Sequence, residues 1–117
     1  MKKIFKFTGH WFAGFVLSDG SFGVGFEKQT GNGLPIRPRP IFNLTQSITE
    51  LEMFEALHRY LDIGRLQKSR NNITLVVTSI SEIVLVLIPL FDKHPLHGSK
   101  LISYQIFKEV SDRKSVV

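Results

Sequence analysis

Residues 11–17, Trp-Phe-Ala-Gly-Phe-Val-Leu, carry no charged or amide side chain and no proline. Thr8 stands before the run and Ser18-Asp19-Gly20 after it. This reads as a short helix from Thr8 to Leu17, with Thr8 as N-cap and Gly20 suited to a left-handed cap. A helix that is apolar all round cannot lie on a surface, so every face must be covered. The chain has only 117 residues, enough for one domain with one core. Either that core surrounds the helix or something else hides the remaining face.

The pattern changes at Ser21. Through Lys28 it has period two, with Phe22, Val24 and Phe26 on one side and Ser21, Gly23, Gly25 and Glu27 on the other, as in a half-buried strand. Residues 29–38 hold Gly31, Gly33, Pro35 and Pro38 and read as a loop. Arg39 to Ser47 reads as a second strand. Thr49 with Glu52 forms a capping-box pattern before Leu51, Phe54, Leu57 and Leu61, which recur at helical spacing and end at Gly64. Arg65–Ser69 and Asn72–Ser79 read as a hairpin, Ser81–Phe91 as a third helix and Lys100–Val110 as a last one. The order α-β-β-α-β-β-α-α predicts a single α+β domain over 1–117, an antiparallel sheet with helices on one face.

Composition narrows the chemistry. Ten Phe and 43% hydrophobic residues can build a core, which argues against intrinsic disorder. No cysteine is present, so disulfides, thiolate metal sites and thiol nucleophiles are excluded. Fifteen Lys and Arg against ten Asp and Glu leave +5, a balance that suits a polyanionic partner. The longest apolar run, Ile83 to Phe91, contains Pro89 and falls far short of the roughly 20 residues a membrane span needs. No import presequence is visible, so the expectation is an intracellular protein, made inside its own compartment if that is an organelle.

Few residues suggest a reaction centre. The glycines from Gly20 to Gly25 precede a strand rather than open a helix, so they form no phosphate loop. Pro95 separates His94 from His97, which excludes a helical metal face, and no third ligand lies nearby in sequence. His10 and His58 read as packing or surface residues. Asp19 is more informative. A carboxylate at the C-terminal end of a helix faces the negative pole of its dipole at a cost of about 0.3–1 kcal/mol. With the free helix carbonyls it makes an oxygen-rich corner suited to Mg²⁺; Asp-Gly is equally a common turn dipeptide. Ala13, Gly14 and Ser18 are small, and Gly14 and Ser18 are four apart. Such spacing permits close approach of a second helix or close packing on the chain's own sheet.

Phe12-Ala13-Gly14-Phe15-Val16-Leu17-Ser18-Asp19-Gly20 resembles the signature helix of the LAGLIDADG homing endonucleases. Phe42-Asn43-Leu44-Thr45-Gln46 is similar to that family's second strand, and the segment from Ile88 to Lys100 to its later Pro-Leu and Gly-Ser-Lys element. The motif's earlier acidic position is Leu17 here. The resemblance implies an αββαββα unit with a saddle-shaped sheet that pairs through the signature helices of two units. It implies that Asp19, with Gly20, holds Mg²⁺ or Mn²⁺, and that Gln46 and Lys100 line the catalytic pocket. It also implies that Trp11, Ala13, Gly14, Leu17 and Ser18 meet a second unit. One motif in the chain implies either a homodimer subunit or half of a larger enzyme.

On the implied strands Glu27, Lys28, Arg37, Arg39, Asn43, Thr45, Arg65, Gln67, Lys68, Arg70, Asn72 and Thr74 are candidates for DNA contact. Arg suits guanine, and Gln or Asn suits adenine. The expected function is site-specific, metal-dependent cleavage of double-stranded DNA at a long pseudo-palindromic site. The family alternative is an RNA-splicing maturase or a non-cleaving binder, with intron RNA as partner. Family members are typically intron- or intein-encoded, which implies an organelle, bacterial or phage origin.

Overall fold

The computed structural model describes residues 5–27 and 37–115. Its elements are α1 (Gly9–Asp19), β1 (Gly20–Glu27), β2 (Arg37–Ser47), α2 (Leu51–Leu61), β3 (Arg65–Lys68), β4 (Asn72–Val77), α3 (Ile80–Glu82), α4 (Ile88–Lys93) and α5 (Gly98–Ser115). The four strands form one antiparallel sheet in the order β1-β2-β4-β3. Among the described residues no helix is long and apolar enough to cross a membrane.

Strand alternation sorts the sheet into two faces. Phe42 and Leu44 of β2 and Ile73, Leu75 and Val77 of β4 are buried under the helices. Onto them pack Phe12 and Val16 of α1, Phe54 and Leu57 of α2, Phe91 of α4 and Phe107 of α5. Burying each of these side chains contributes about 2 kcal/mol. Phe22 of β1 joins the cluster against Phe42, Phe91, Tyr104 and Phe107, with ring centroids 5.1–5.4 Å apart. Tyr104 keeps its hydroxyl satisfied while buried: it lies 3.2 Å from the Ile88 carbonyl and 3.0 Å from Asp92 Oδ1, and its single proton serves one of them at a time. Burial and that carboxylate push its phenol well above the ordinary value.

Several local expectations need correction. Thr8 does cap α1, accepting from the Trp11 N–H at 3.1 Å, but the helix continues through Asp19 and Gly20 is not left-handed. Gly20 has φ −82° and ψ 159°, because it is already the first residue of β1. Its lack of a side chain matters for another reason: a Cβ there would lie 2.8 Å from Val16 Cγ1 and 3.0 Å from the Val16 carbonyl. Ser47, not Thr49, accepts the capping bond ahead of α2, because a 3₁₀ turn, Ile48–Glu50, precedes the helix. Asp62, at φ 56°, takes the left-handed cap of α2, and Gly64 follows at φ 75°.

The third predicted helix is a continuous stretch through α3, a π-helical segment Ile83–Leu87 and α4. Pro89 accounts for the widening. It has no N–H for the Leu85 carbonyl, and its ring would collide with that carbonyl in a regular α-helix.

Of the two ways to cover α1, its own core does not suffice. Phe12, Ala13 and Val16 are buried, but Trp11, Gly14 and Ser18 are exposed and Leu17 is half-buried. The chain's own core covers one side of an apolar helix and leaves the other open.

The two glycine environments give a paired prediction. At Gly64 a Cβ would meet the Val76 carbonyl at 2.6 Å with φ at +75°, whereas at Gly14 it would meet nothing within 4 Å. In urea titrations of the chain, Gly64→Ala is expected to lose about 2 kcal/mol or more through strain and overpacking. At concentrations low enough to keep the chain unpaired, Gly14→Ala is expected to be neutral or to gain up to about 1 kcal/mol through helix propensity.

Candidate functional site

The site is built where α1 becomes β1. The Gly20 N–H still bonds back to the Val16 carbonyl, as a helix would, while its backbone is extended. The chain therefore passes from helix to strand without a loop, and Asp19 is held at the junction. Its carboxylate is exposed. Ser18 Oγ lies 3.3 Å from Asp19 Oδ2 and 3.2 Å from the Phe15 carbonyl, and its single proton serves one of them at a time. Among the described residues no cation pairs with the Asp19 carboxylate.

Lys100, near the start of α5, reaches across the fold and donates from Nζ to the Gly20 carbonyl, a contact between residues 80 apart in sequence. Gly20 is the cross-strand partner of Leu44. Gln46 is two residues further along β2, on the same face as Leu44, partly buried and paired with Ile73. Asp19, Gly20 and Lys100 are thus joined by covalent and hydrogen bonds, and the strand register places Gln46 at the same end of the sheet.

The donor set suits a hard divalent cation. It offers one carboxylate and the open carbonyls of a helix C-terminus, all oxygen. Among the described residues no three His, Asp or Glu side chains gather closely enough to hold an ion. A single chain therefore supplies one acid, and further oxygens would have to come from water, phosphate or a second unit.

The open face of the sheet carries most of the remaining candidates. Residues paired directly across an antiparallel ladder share a face. Asn43 pairs with Val76, and Val76 with Arg65; Thr45 pairs with Thr74, and Thr74 with Gln67. Arg39 pairs with Gly25, and Asn72 with Ser47. These rows lie opposite the buried Phe42, Leu44, Ile73 and Leu75. Thr45 and Thr74 hydrogen-bond across the strands at 2.9 Å, and Arg65 donates to Thr78 at 3.4 Å.

Lys68 pairs with the buried Ile73, so by register it stands on the other face, exposed at the end of β3. Arg70 is exposed in the turn, which Ser69 closes by hydrogen bonds to Asn72. Glu27 and Arg37 pair with each other through their backbones, while their side chains and all of Lys28 lie outside the described residues.

The residues expected at a pairing surface divide. Trp11, Gly14 and Ser18 are exposed along one side of α1, while Leu17 is half-buried and Ala13 is 6% exposed. Ala13, Gly14 and Leu17 line an open cavity of about 320 Å³ together with His10, His94, Pro95 and His97. Sequence reasoning missed this grouping. His10 and His94 are 84 residues apart, and no spacing rule connects them. It also assigned Ser18 to an interface alone, although the residue's place next to Asp19 could have suggested the hydroxyl contact.

The comparisons agree with one another. The LAGLIDADG endonuclease family model matches residues 12–111. A probable intron-encoded DNA endonuclease of Mycosarcoma maydis is 46% identical over 108 residues, 92% of this chain and 39% of that protein. A probable intron-encoded endonuclease of Neurospora crassa is 29% identical over 105 residues, 88% of this chain and 22% of that protein. Among solved structures, the I-LtrWI LAGLIDADG homing endonuclease bound to target DNA superposes with a TM-score of 0.87 at 30% identity. It covers 97% of this chain and 39% of that one. The I-SmaMI LAGLIDADG homing endonuclease bound to cleaved DNA gives 0.86 at 26% identity, over 94% and 37%. The chain therefore spans two fifths or less of the length of these relatives.

The Lys100 contact gives a prediction independent of function. Lys100→Met is expected to lower stability by about 1 kcal/mol, the worth of one partly exposed charged hydrogen bond, with an unchanged slope in denaturant titrations. With the family model spanning the signature helix, the sheet and most of α5, this chain belongs to the LAGLIDADG endonuclease family.

Proposed function

We propose that the chain is one unit of a site-specific DNA endonuclease, active when two copies pair through α1 and straddle a duplex. The observation that carries this reading is the position of Asp19. It is an exposed carboxylate, with no cation paired to it among the described residues, at the end of the helix whose outer side those residues leave uncovered. Pairing through that side would bring two such corners together. Gly14 supports the seam, because nothing in the chain's own fold requires a glycine there, while close helix approach does.

In this reading the sheet face bearing Arg39, Asn43, Thr45, Arg65, Gln67, Asn72 and Thr74 follows the major groove. β1 has eight residues, which at about 3.4 Å per residue match roughly eight base pairs of rise. Two copies would cover about twice that, on a site with approximate two-fold symmetry. Arg39 and Arg65 can reach phosphates or guanine edges, and Asn43 and Gln67 can read adenine. The intron-encoded character of the relatives suggests the same genomic setting for this protein.

Mg²⁺ or Mn²⁺ held by Asp19 and the Gly20 carbonyl would supply an activated water and charge neutralisation for in-line displacement. The protein residues do the rest. Asp19 binds the cation. Gln46 orients solvent through its amide. The Lys100 ammonium holds the Gly20 carbonyl in place and offsets negative charge developing on the phosphate.

Asp19→Asn tests this directly. Plasmid libraries carrying candidate sites should be cleaved by the unaltered chain only with Mg²⁺ or Mn²⁺, and cleavage should stop on chelation. Asp19→Asn should abolish cleavage while leaving duplex binding within about threefold, since it removes no groove contact. Loss of binding together with cleavage would make Asp19 structural. Stimulated splicing of an intron RNA without DNA cleavage would favour the maturase alternative. Binding should also weaken steeply with salt, by about one unit of log-log slope per phosphate contact.

A further inference from the structure

The cavity beside α1 contains a histidine pair that the nuclease reading does not use. His10 Nδ1 and His94 Nδ1 are 3.2 Å apart, with ring centroids at 4.2 Å and the rings nearly perpendicular. The pair is built rather than accidental. His94 ends α4, where its N–H bonds to the Leu90 carbonyl at 2.9 Å and fixes the backbone. Its ring lies over Gly9, where a Cβ would come within 2.3 Å of Nε2. Only glycine at the start of α1 lets the imidazole settle there. His97 lines the same cavity from the loop after α4.

Two nitrogens at this separation suit one soft or borderline cation. With metal–nitrogen bonds of about 2.0–2.1 Å, two imidazoles on one ion stand about 2.9 Å apart at a right angle and about 3.3 Å at the tetrahedral angle. Metal binding requires neutral imidazoles. Desolvation, then the neighbouring His10 and Lys93, lowers the His94 pKa from its ordinary value. Imidazole selects zinc, copper or nickel, whereas Mg²⁺ seeks oxygen.

We infer that His10 and His94 form a two-imidazole chelate for a first-row transition-metal ion, separate from the oxygen corner at Asp19. Among the described residues no third protein ligand closes around the ion, so water fills the remaining positions. The ion would clip the N-terminal end of α1 to the end of α4, joining segments 84 residues apart. It would sit beside Gly14 and Leu17, on the side of α1 that the core leaves open. A cation that binds only the folded chain raises its unfolding midpoint.

Isothermal titration of the full chain with Ni²⁺, in a large excess of Mg²⁺, tests this. The expected result is one Ni²⁺ per chain and a raised unfolding midpoint. His10→Gln and His94→Gln should each weaken binding more than about tenfold, since even outer-shell changes at metal sites cost that much. Asp19→Asn and His97→Gln should each leave it within about threefold. No binding by the unaltered chain, or binding lost in Asp19→Asn and kept in His10→Gln, overturns the inference. Copper electron paramagnetic resonance of the unaltered chain needs no variant to fold: two coupled imidazole nitrogens support the chelate, and one or none overturns it.

Discussion

The passage of α1 into β1 without a loop is the constraint on which the rest of the structure depends. Phe12 and Val16 anchor α1 in the core, and Gly20 packs against Val16 while opening the strand that pairs with β2. The helix, the sheet and the backbone of Asp19 between them are therefore tied to one core. Lys100 adds a third attachment by bonding the Gly20 carbonyl from α5. In the metal-holding role proposed for it, Asp19 would gain from such a mount, because its position is set by the core rather than by a loop.

The same junction explains the division of labour between faces. Helices cover one side of the sheet and supply its burial. The other side is left with residues that pair in polar rows, such as Thr45 with Thr74 and then Gln67. The helix that supplies the core's first aromatic residue also turns Trp11, Gly14 and Ser18 outward. An apolar helix half-covered by its own domain is an incomplete burial, and the proposed pairing would complete it. Asp19 would then lie between the two covered surfaces rather than at the edge of one.

Much of this was legible in the sequence because it follows short-range periodicity. The alternation from Ser21 to Glu27 gave β1 and its two faces, and Thr8 gave the first cap. Leu51, Phe54, Leu57 and Leu61 gave α2, as observed at Leu51–Leu61. The misses follow from competition that only the tertiary structure decides. Gly20 does cap α1, but it reads as a left-handed cap until the strand draws its backbone extended. Thr49 reads as an N-cap until a 3₁₀ turn moves the capping bond to Ser47. Ser81–Phe91 reads as one regular helix, whereas the segment ahead of Pro89 widens to a π-helix. The candidate site was legible through its motifs, whereas the approach of Lys100 to Gly20 and of His94 to His10 depends on contacts spanning 80 and 84 residues.

If the open side of α1 is a seam for a second copy, as proposed, the molar mass in solution reports it. Light scattering at micromolar concentration should give twice the 13.3 kDa of the chain. A stable particle of 13.3 kDa at the same concentration would contradict it.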